Sequence, residues 1–210
     1  MLAKIIHMTT PVQRQGFNLL MIRNFLDTET CERLLAELRS NRGNPATVYR
    51  DVASGVVDGR VRKSTRLEPC VETVELVVRS LLERKSIIEE HFGVSVSDCE
   101  EPQFLRYVVG DFFVTHQDGN TGLIHSVREQ TRIVSVIIFL SEQSEKPLPN
   151  TYCGGSLVFH GWGSRMPGLE DLRESVSGEA GMLVAFRAET THEVLPVEHG
   201  ERYTIASWYR

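Results

Sequence analysis

Two histidines, an aspartate and an arginine in the second half of the chain have the types and spacing to build a metal centre with a seat for an acidic molecule. His116 and Asp118 close the run Tyr107-Val108-Val109-Gly110-Asp111-Phe112-Phe113-Val114-Thr115-His116-Gln117-Asp118. In an extended chain residues i and i+2 share a face, so this imidazole and this carboxylate reach a common centre. His192, far downstream, supplies a third ligand if the chain folds back. Two histidines and one carboxylate fill half an octahedron and leave the other half open, the ligand set of a non-haem Fe(II) centre with room for reactants.

Seven His and seven Asp in 210 residues give about 0.2 His-x-Asp pairs by chance, so the pair needs support from its surroundings. The stretch after His192 provides it. His192 heads a short apolar strand, Pro196 to Gly200 has turn chemistry, and Arg202 to Trp208 alternates as a strand. Arg202, Thr204, Ala206 and Trp208 therefore share one face. A guanidinium with a hydroxyl two residues away suits a carboxylate, which accepts two parallel charge-assisted bonds. Charge arithmetic agrees. Fe(II) with one Asp and two neutral His stays positive, a chelating 2-oxoacid end neutralises it, and the far carboxylate then needs a cation, for which Arg202 is the choice.

The Tyr-x-x-Gly-x-x-Phe-x-x-His-x-Asp run, the strand Gly154-Gly155-Ser156-Leu157-Val158-Phe159 and the His192 to Trp208 block together resemble the prolyl 4-hydroxylase-like branch of the 2-oxoglutarate/Fe(II)-dependent dioxygenases. The similarity spans roughly residues 100 to 210. The nine positions from Tyr107 to His116 and the ten from His192 to Arg202 fit that pattern. Members with Lys at the latter position are common, so Arg202 is a variant within the superfamily.

The resemblance implies Fe(II) on His116, Asp118 and His192, and 2-oxoglutarate on Arg202 with Tyr107 and Thr204 beside it. It also implies ascorbate as an accessory reductant, and substrate against Trp208 and Glu100. No side chain is then needed as a general acid or base. The expected reaction is hydroxylation of an unreactive C–H bond, coupled to oxidative decarboxylation of 2-oxoglutarate to succinate and carbon dioxide. A prolyl residue in a peptide or protein leads as substrate, with a free amino acid or another small metabolite as the alternative. Alkylated nucleic acid is disfavoured, because repair dioxygenases of this superfamily carry a second arginine six residues after the first, where Trp208 stands here. Two rivals belong to other classes. One is a non-catalytic 2-oxoglutarate- or metal-binding sensor, and the other a cupin-like metal enzyme, which would leave Arg202 unexplained.

Several of these residues have plainer readings. Tyr107 and Trp208 also suit a core, Thr204 also suits a strand for its branching, and Arg202 could pair with Glu198 or Glu201 on the surface. Arg128 and Arg132 follow the motif and would meet an anionic substrate, or else form a solvated strand flank. Gly154 and Gly155 read as a tight turn or bulge. His7, His91, His125, His160 and His199 have no ligand partner at comparable spacing and receive no role.

The elements that must position these groups follow from periodicity. Phe17 to Phe25 reads as a strand, and Asp27 caps a helix whose Cys31, Leu34, Leu35 and Leu38 form one stripe. Gly43 and Pro45 end that helical region. After an extended piece from Val61 to Leu67, one long helix carries Val71, Val74, Val78, Leu81 and Leu82 and stops at Gly93. Eight strands follow: 103–109, 112–118, 132–140, 156–160, 174–176, 182–186, 192–197 and 202–209. Helices first and strands after make the class α+β. Eight strands without helical crossovers suit a jelly roll, a double-stranded β-helix, with the N-terminal helices supporting one sheet.

With 210 residues and 41% hydrophobic content, the chain is expected to form a single domain around one core. Residues 1–99 would provide the supporting part and 100–210 the β-helix. A net charge of −5 disfavours a general nucleic-acid or membrane surface. Dioxygen and a peptide or small molecule are the expected partners. The widely spaced Cys31, Cys70, Cys99 and Cys153 suggest neither a zinc knot nor a disulfide framework. No membrane-length apolar run occurs, and the first residues are too short for a signal-peptide core, which favours the cytoplasm. The stretches 40–60 and 141–153 read as surface loops.

Overall fold

The computed structural model describes residues 12–14, 16–48, 56–119, 127–161 and 171–210. Its first part holds β1 (Val12–Arg14), β2 (Leu19–Ile22), α1 (Thr28–Arg39), β3 (Asn44–Pro45), β4 (Arg62–Lys63), β5 (Thr65–Leu67), α2 (Val71–Glu83) and α3 (Lys85–Phe92). Next come β6 (Gln103–Tyr107), β7 (Phe112–His116), the one-turn α4 (Val127–Gln130), β8 (Val134–Phe139), β9 (Glu142–Gln143) and β10 (Thr151–Gly154). The chain closes with β11 (Leu157–His160), β12 (Arg173–Val176), β13 (Leu183–Arg187), β14 (Thr191–Val194), β15 (Val197–His199) and β16 (Arg202–Tyr209). Each of the eight expected strands has its counterpart.

The strands form an eight-stranded sheet in the order β1-β2-β13-β8-β16-β6-β5-β3 and a five-stranded sheet in the order β12-β11-β14-β7-β4. A small third sheet, β15-β10-β9, completes the set. Several neighbours in the sandwich, β2 with β13, β16 with β6 and β14 with β7 among them, are distant in sequence, as a jelly roll requires. One apolar cluster lies between the two large sheets, with Leu105, Phe139 and Ala206 from one and Leu157, Phe159 and Val194 from the other. A second cluster joins the opposite face of the eight-stranded sheet, through Phe104, Val136, Ile138 and Ile205, to Leu34 and Leu38 of α1, Val77 and Leu81 of α2 and Ile88 of α3. Alternation along β16 feeds both: Tyr203, Ile205 and Tyr209 enter the helix-side cluster, Ala206 and Trp208 the inter-sheet one.

The helices are set by polar contacts at their ends. The Asp27 carboxylate accepts the Thr30 N–H at 2.7 Å and caps α1. Glu37, on the last turn of α1, caps α2 in turn: its carboxylate accepts the Cys70 N–H at 2.6 Å and the Thr73 hydroxyl at 2.7 Å.

This contact corrects the expected helix in two ways. Its buried positions are Thr73, Val77 and Leu81, while Val71 and Leu82 are exposed. Thr73 tolerates burial because Glu37 satisfies its hydroxyl. The single long helix is also two, parted at Arg84, whose N–H turns back to Leu81 O at 2.9 Å. Leu81 O also accepts the Tyr209 hydroxyl at 2.6 Å, tying the break to β16. Gly93, with φ +61°, ends α3 as its lack of a Cβ allows. The stretches read as loops contain short strands instead, β3 in the first and β9 and β10 in the second. Among the described residues no helix is long and apolar enough to cross a membrane.

Candidate active site

The two histidines sit on neighbouring strands of the five-stranded sheet. β14 pairs with β7, His192 opposite His116, and the register then slips before Val194 and Phe113. One extra residue on β7 makes this a bulge, a device that re-aims side chains. The rings tilt toward each other with centroids 4.2 Å apart. Phe113 stacks on the His116 ring at 3.6 Å, and the edge contact of Phe186 with His192 is 4.7 Å. Asp118, two residues past His116, is held by its N–H to Ala188 O at 2.9 Å, while Gln117 Nε2 donates to Glu189 O and Thr191 Oγ1. The turn between β13 and β14 thereby fixes the segment that carries the carboxylate.

Each imidazole is anchored in the same way. His116 Nδ1 lies 2.8 Å from Val114 O, and His192 Nδ1 lies 2.9 Å from Thr190 O. A carbonyl can only accept, so each Nδ1 carries a proton, and in the neutral ring the lone pair lies on Nε2. Those lone pairs face one carboxylate, His116 Nε2 at 3.5 Å from Asp118 Oδ1 and His192 Nε2 at 3.6 Å from Asp118 Oδ2. One donor atom from each of the three residues lies within 4.8 Å of the others.

Burial favours neutral imidazole at His192, whose pKa falls to about 4, with repulsion from His116 in the same direction. At Asp118 burial pushes upward, but His192, His116 and Arg132 outweigh it and hold the carboxyl well below the usual range. One anion and neutral imidazole make a donor set ready for a divalent cation.

These groups open into a cavity of about 170 Å³, which Tyr107, Arg202, Thr204 and Trp208 line from the opposite sheet. Arg202 is 1% exposed. Its Nη1 donates to Thr204 Oγ1 at 3.2 Å, its guanidinium lies 5.0 Å from the Tyr107 ring centre, and its Nε has no acceptor. Among the described residues no carboxylate pairs with it. Gly155, with φ +59°, makes room for its stem, since a Cβ there would lie 3.1 Å from Arg202 Cδ. A buried guanidinium with an unused donor, facing a metal-type triad, fits a dicarboxylate that spans the two.

The sequence model described as the 2OG-Fe(II) oxygenase superfamily matches residues 102–210, just over half the chain. The chain belongs to the 2OG-Fe(II) oxygenase superfamily. Fe(II) and 2-oxoglutarate are the cofactors of that family, and the His116, Asp118 and His192 donors fit them, as does Arg202, whose buried Nε has no acceptor.

Relatives of this oxygenase include a PKHD-type hydroxylase of Paracoccus denitrificans, 32% identical over 108 residues, or 51% of this chain and 41% of that protein. A PKHD-type hydroxylase of Paraburkholderia phytofirmans is 27% identical over 195 residues, covering 90% of this chain and 77% of the relative. The chain thus spans less than half of the first relative and about three quarters of the second. Among solved structures, a Pseudomonas putida prolyl-4-hydroxylase superposes with a TM-score of 0.66 at 22% identity over 92% of each chain. A prolyl hydroxylase from Trichoplax adhaerens, in complex with a hypoxia inducible factor oxygen degradation domain peptide fragment, gives 0.63 at 18% identity over 91% of this chain and 83% of that one. These likenesses establish the jelly-roll fold.

The remaining expected substrate residues of this oxygenase divide. Trp208 lines the cavity and lies under the Arg132 guanidinium, 3.7 Å from the ring centre. Arg132 lines it too, but as a paired group: it holds both Glu100 oxygens, at 2.8 and 3.1 Å, and donates to Asp118 O at 3.2 Å. Glu100 is only 2% exposed and lies off the cavity wall, so its carboxylate is given to Arg132 and not presented to a substrate. The Arg128 side chain lies outside the described residues.

Two charged cavity residues, Glu129 and Arg62, have no counterpart in the sequence reading. Glu129 stands 3.5 Å from Arg132, and burial pushes its carboxyl up. Arg62 reaches in from β4. An Arg-x-Ser pair, Arg62 and Ser64, in the expected extended piece was the available signal for the latter.

Proposed function

We propose that this oxygenase hydroxylates an unreactive C–H bond, with a prolyl residue in a peptide or protein as the leading substrate. For each C–H converted to C–OH, one dioxygen and one 2-oxoglutarate would yield one succinate and one carbon dioxide. The observation that carries the reading is the shared anchoring of His116 and His192, which turns both Nε2 lone pairs toward Asp118 on the cavity wall. Fe(II), bound there, supplies the activation of dioxygen.

The chain's own part is positional. His116, Asp118 and His192 would hold the metal by three donors and leave the rest of its sphere to reactants. Arg202, with Thr204 accepting from its Nη1, would grip the far carboxylate of 2-oxoglutarate, and Tyr107 would flank it. Leu105, Leu157 and Val194 line the same cavity and exclude water from the reacting bond. Trp208 would form the substrate-side wall, its ring set by Arg132 above it. The prolyl preference rests on the names of the structural neighbours and on this aromatic wall.

Anaerobic protein mixed with Fe(II) and 2-oxoglutarate is expected to show a visible metal-to-ligand charge-transfer band. Arg202→Ala should weaken 2-oxoglutarate binding about 10- to 100-fold in that titration, the range for a lost charge-assisted contact. Bound iron without the band overturns the reading. Succinate release across proline-containing peptides, free amino acids and small acids then assigns the substrate, and stimulation by free amino acids alone replaces the prolyl choice.

A further inference from the structure

Among the described residues three arginines line the cavity, and they differ in what balances them. Arg132 has Glu100 and Glu129. Arg202 has no carboxylate partner among the described residues, and in the proposed function it meets the far end of 2-oxoglutarate. Arg62 is left over. It sits on β4, the edge strand of the five-stranded sheet, across from Phe113.

Arg62 is 9% exposed, yet all its contacts are neutral. Its Nε donates to Ser64 Oγ at 3.0 Å, its Nη1 to Thr47 O at 3.3 Å, and its guanidinium lies 4.8 Å from the centre of the Phe113 ring. No acid pairs with it among the described residues. Taking a cation out of water without a counter-charge costs several kcal/mol, so such a group is normally paired or serves a ligand. The same Phe113 ring stacks on His116, which puts this charge on the triad's side of the cavity, while Arg202 belongs to the facing sheet. Both carboxylates of 2-oxoglutarate are already assigned, one to the metal and one to Arg202.

We infer that Arg62 selects a substrate bearing a carboxylate, which pairs with its guanidinium while the target C–H bond faces the metal. This rests on the dioxygenase reading and narrows its substrate class. The carboxylate has two sources, an acidic side chain next to the hydroxylated residue or a free α-carboxylate. Ser64 Oγ and Thr47 O take Nε and Nη1, and Nη2, which has no partner among the described residues, is the donor left for the ligand.

The test uses full-length protein loaded with Mn(II) in place of iron and saturated with 2-oxoglutarate, so that binding is read without turnover. Two acid and amide pairs are titrated calorimetrically: end-blocked Ala-Pro-Glu against Ala-Pro-Gln, and N-acetylproline against N-acetylprolinamide. At least one acid should bind about 10-fold or more tightly than its amide, the range for a charge-assisted bond. The pair that shows the preference names the source. Arg62→Gln should reduce the preference to less than about twofold, and Arg62→Lys should retain part of it, with 2-oxoglutarate still titrating in both variants. With 2-oxoglutarate bound, equal affinity within both pairs, binding of neither acid, or a preference that survives Arg62→Gln overturns this inference alone. Failure of 2-oxoglutarate to bind the wild-type protein overturns the dioxygenase reading and takes the inference with it.

Discussion

The two faces of the eight-stranded sheet use the same strands to opposite ends. On the helix side, Tyr203, Ile205 and Tyr209 of β16 pack with Leu34, Val77 and Leu81, and the Tyr209 hydroxyl finds Leu81 O. On the cavity side, the alternate residues Arg202 and Trp208 are just as buried, but Arg202 Nε and Trp208 Nε1 have no acceptor. A buried donor left without a partner costs about 1–3 kcal/mol. On the helix face both tyrosine hydroxyls of β16 find partners within the protein, whereas the cavity face keeps the Arg202 and Trp208 donors unpaired at its wall. Stability and chemistry are therefore separated by a single step along the strand.

That separation can be broken from either side. The largest effect is expected across the cavity at Asp118→Ala, where iron should be lost on desalting and succinate formation should fall about a thousandfold or more. Retained iron with normal turnover would remove the triad from the chemistry. Next, Ile205→Ala should cost about 2–5 kcal/mol in urea unfolding through the cavity it leaves. The protein that remains folded should still develop the charge-transfer band with Fe(II) and 2-oxoglutarate. A lost band in a folded variant would mean that the faces are coupled. The smallest change, Thr204→Val, removes the acceptor for Arg202 Nη1. It should raise the 2-oxoglutarate dissociation constant roughly 3- to 10-fold while altering unfolding by less than about 1 kcal/mol.

Much of this division is legible in the residue order. The period-2 pattern of Arg202 to Trp208 and the run ending in His116 and Asp118 place the right side chains on a common face, because strand geometry is local. The eight expected strands are found for the same reason. Groups whose partners lie far along the chain are not legible in this way. Glu100 reads as a free acid, but it meets Arg132, 32 residues on.

The same limit holds for the helices and for Arg62. The expected stripe of Val71, Val74, Val78, Leu81 and Leu82 leaves out Thr73, which is buried with its hydroxyl donated to Glu37, 36 residues earlier. α2 buries Thr73, Val77 and Leu81 and leaves Val71 and Leu82 facing solvent. Arg62 escapes notice because Arg62, Lys63 and Ser64 are all polar, so no hydropathy step marks which of them points inward; the structure buries Arg62 and Ser64 and exposes Lys63.

Both imidazoles lean on the carbonyl two residues before them, Val114 for His116 and Thr190 for His192. Each tautomer is thus written into a tripeptide of its own strand and asks nothing of distant neighbours. The cradle is stiffened as β7 and β14 zip together, and an arriving ion finds both imidazoles already turned, with little reorganisation left to do. A graft of the two tripeptides onto another antiparallel pair, with the bulge retained, would carry the orientation of both rings with it.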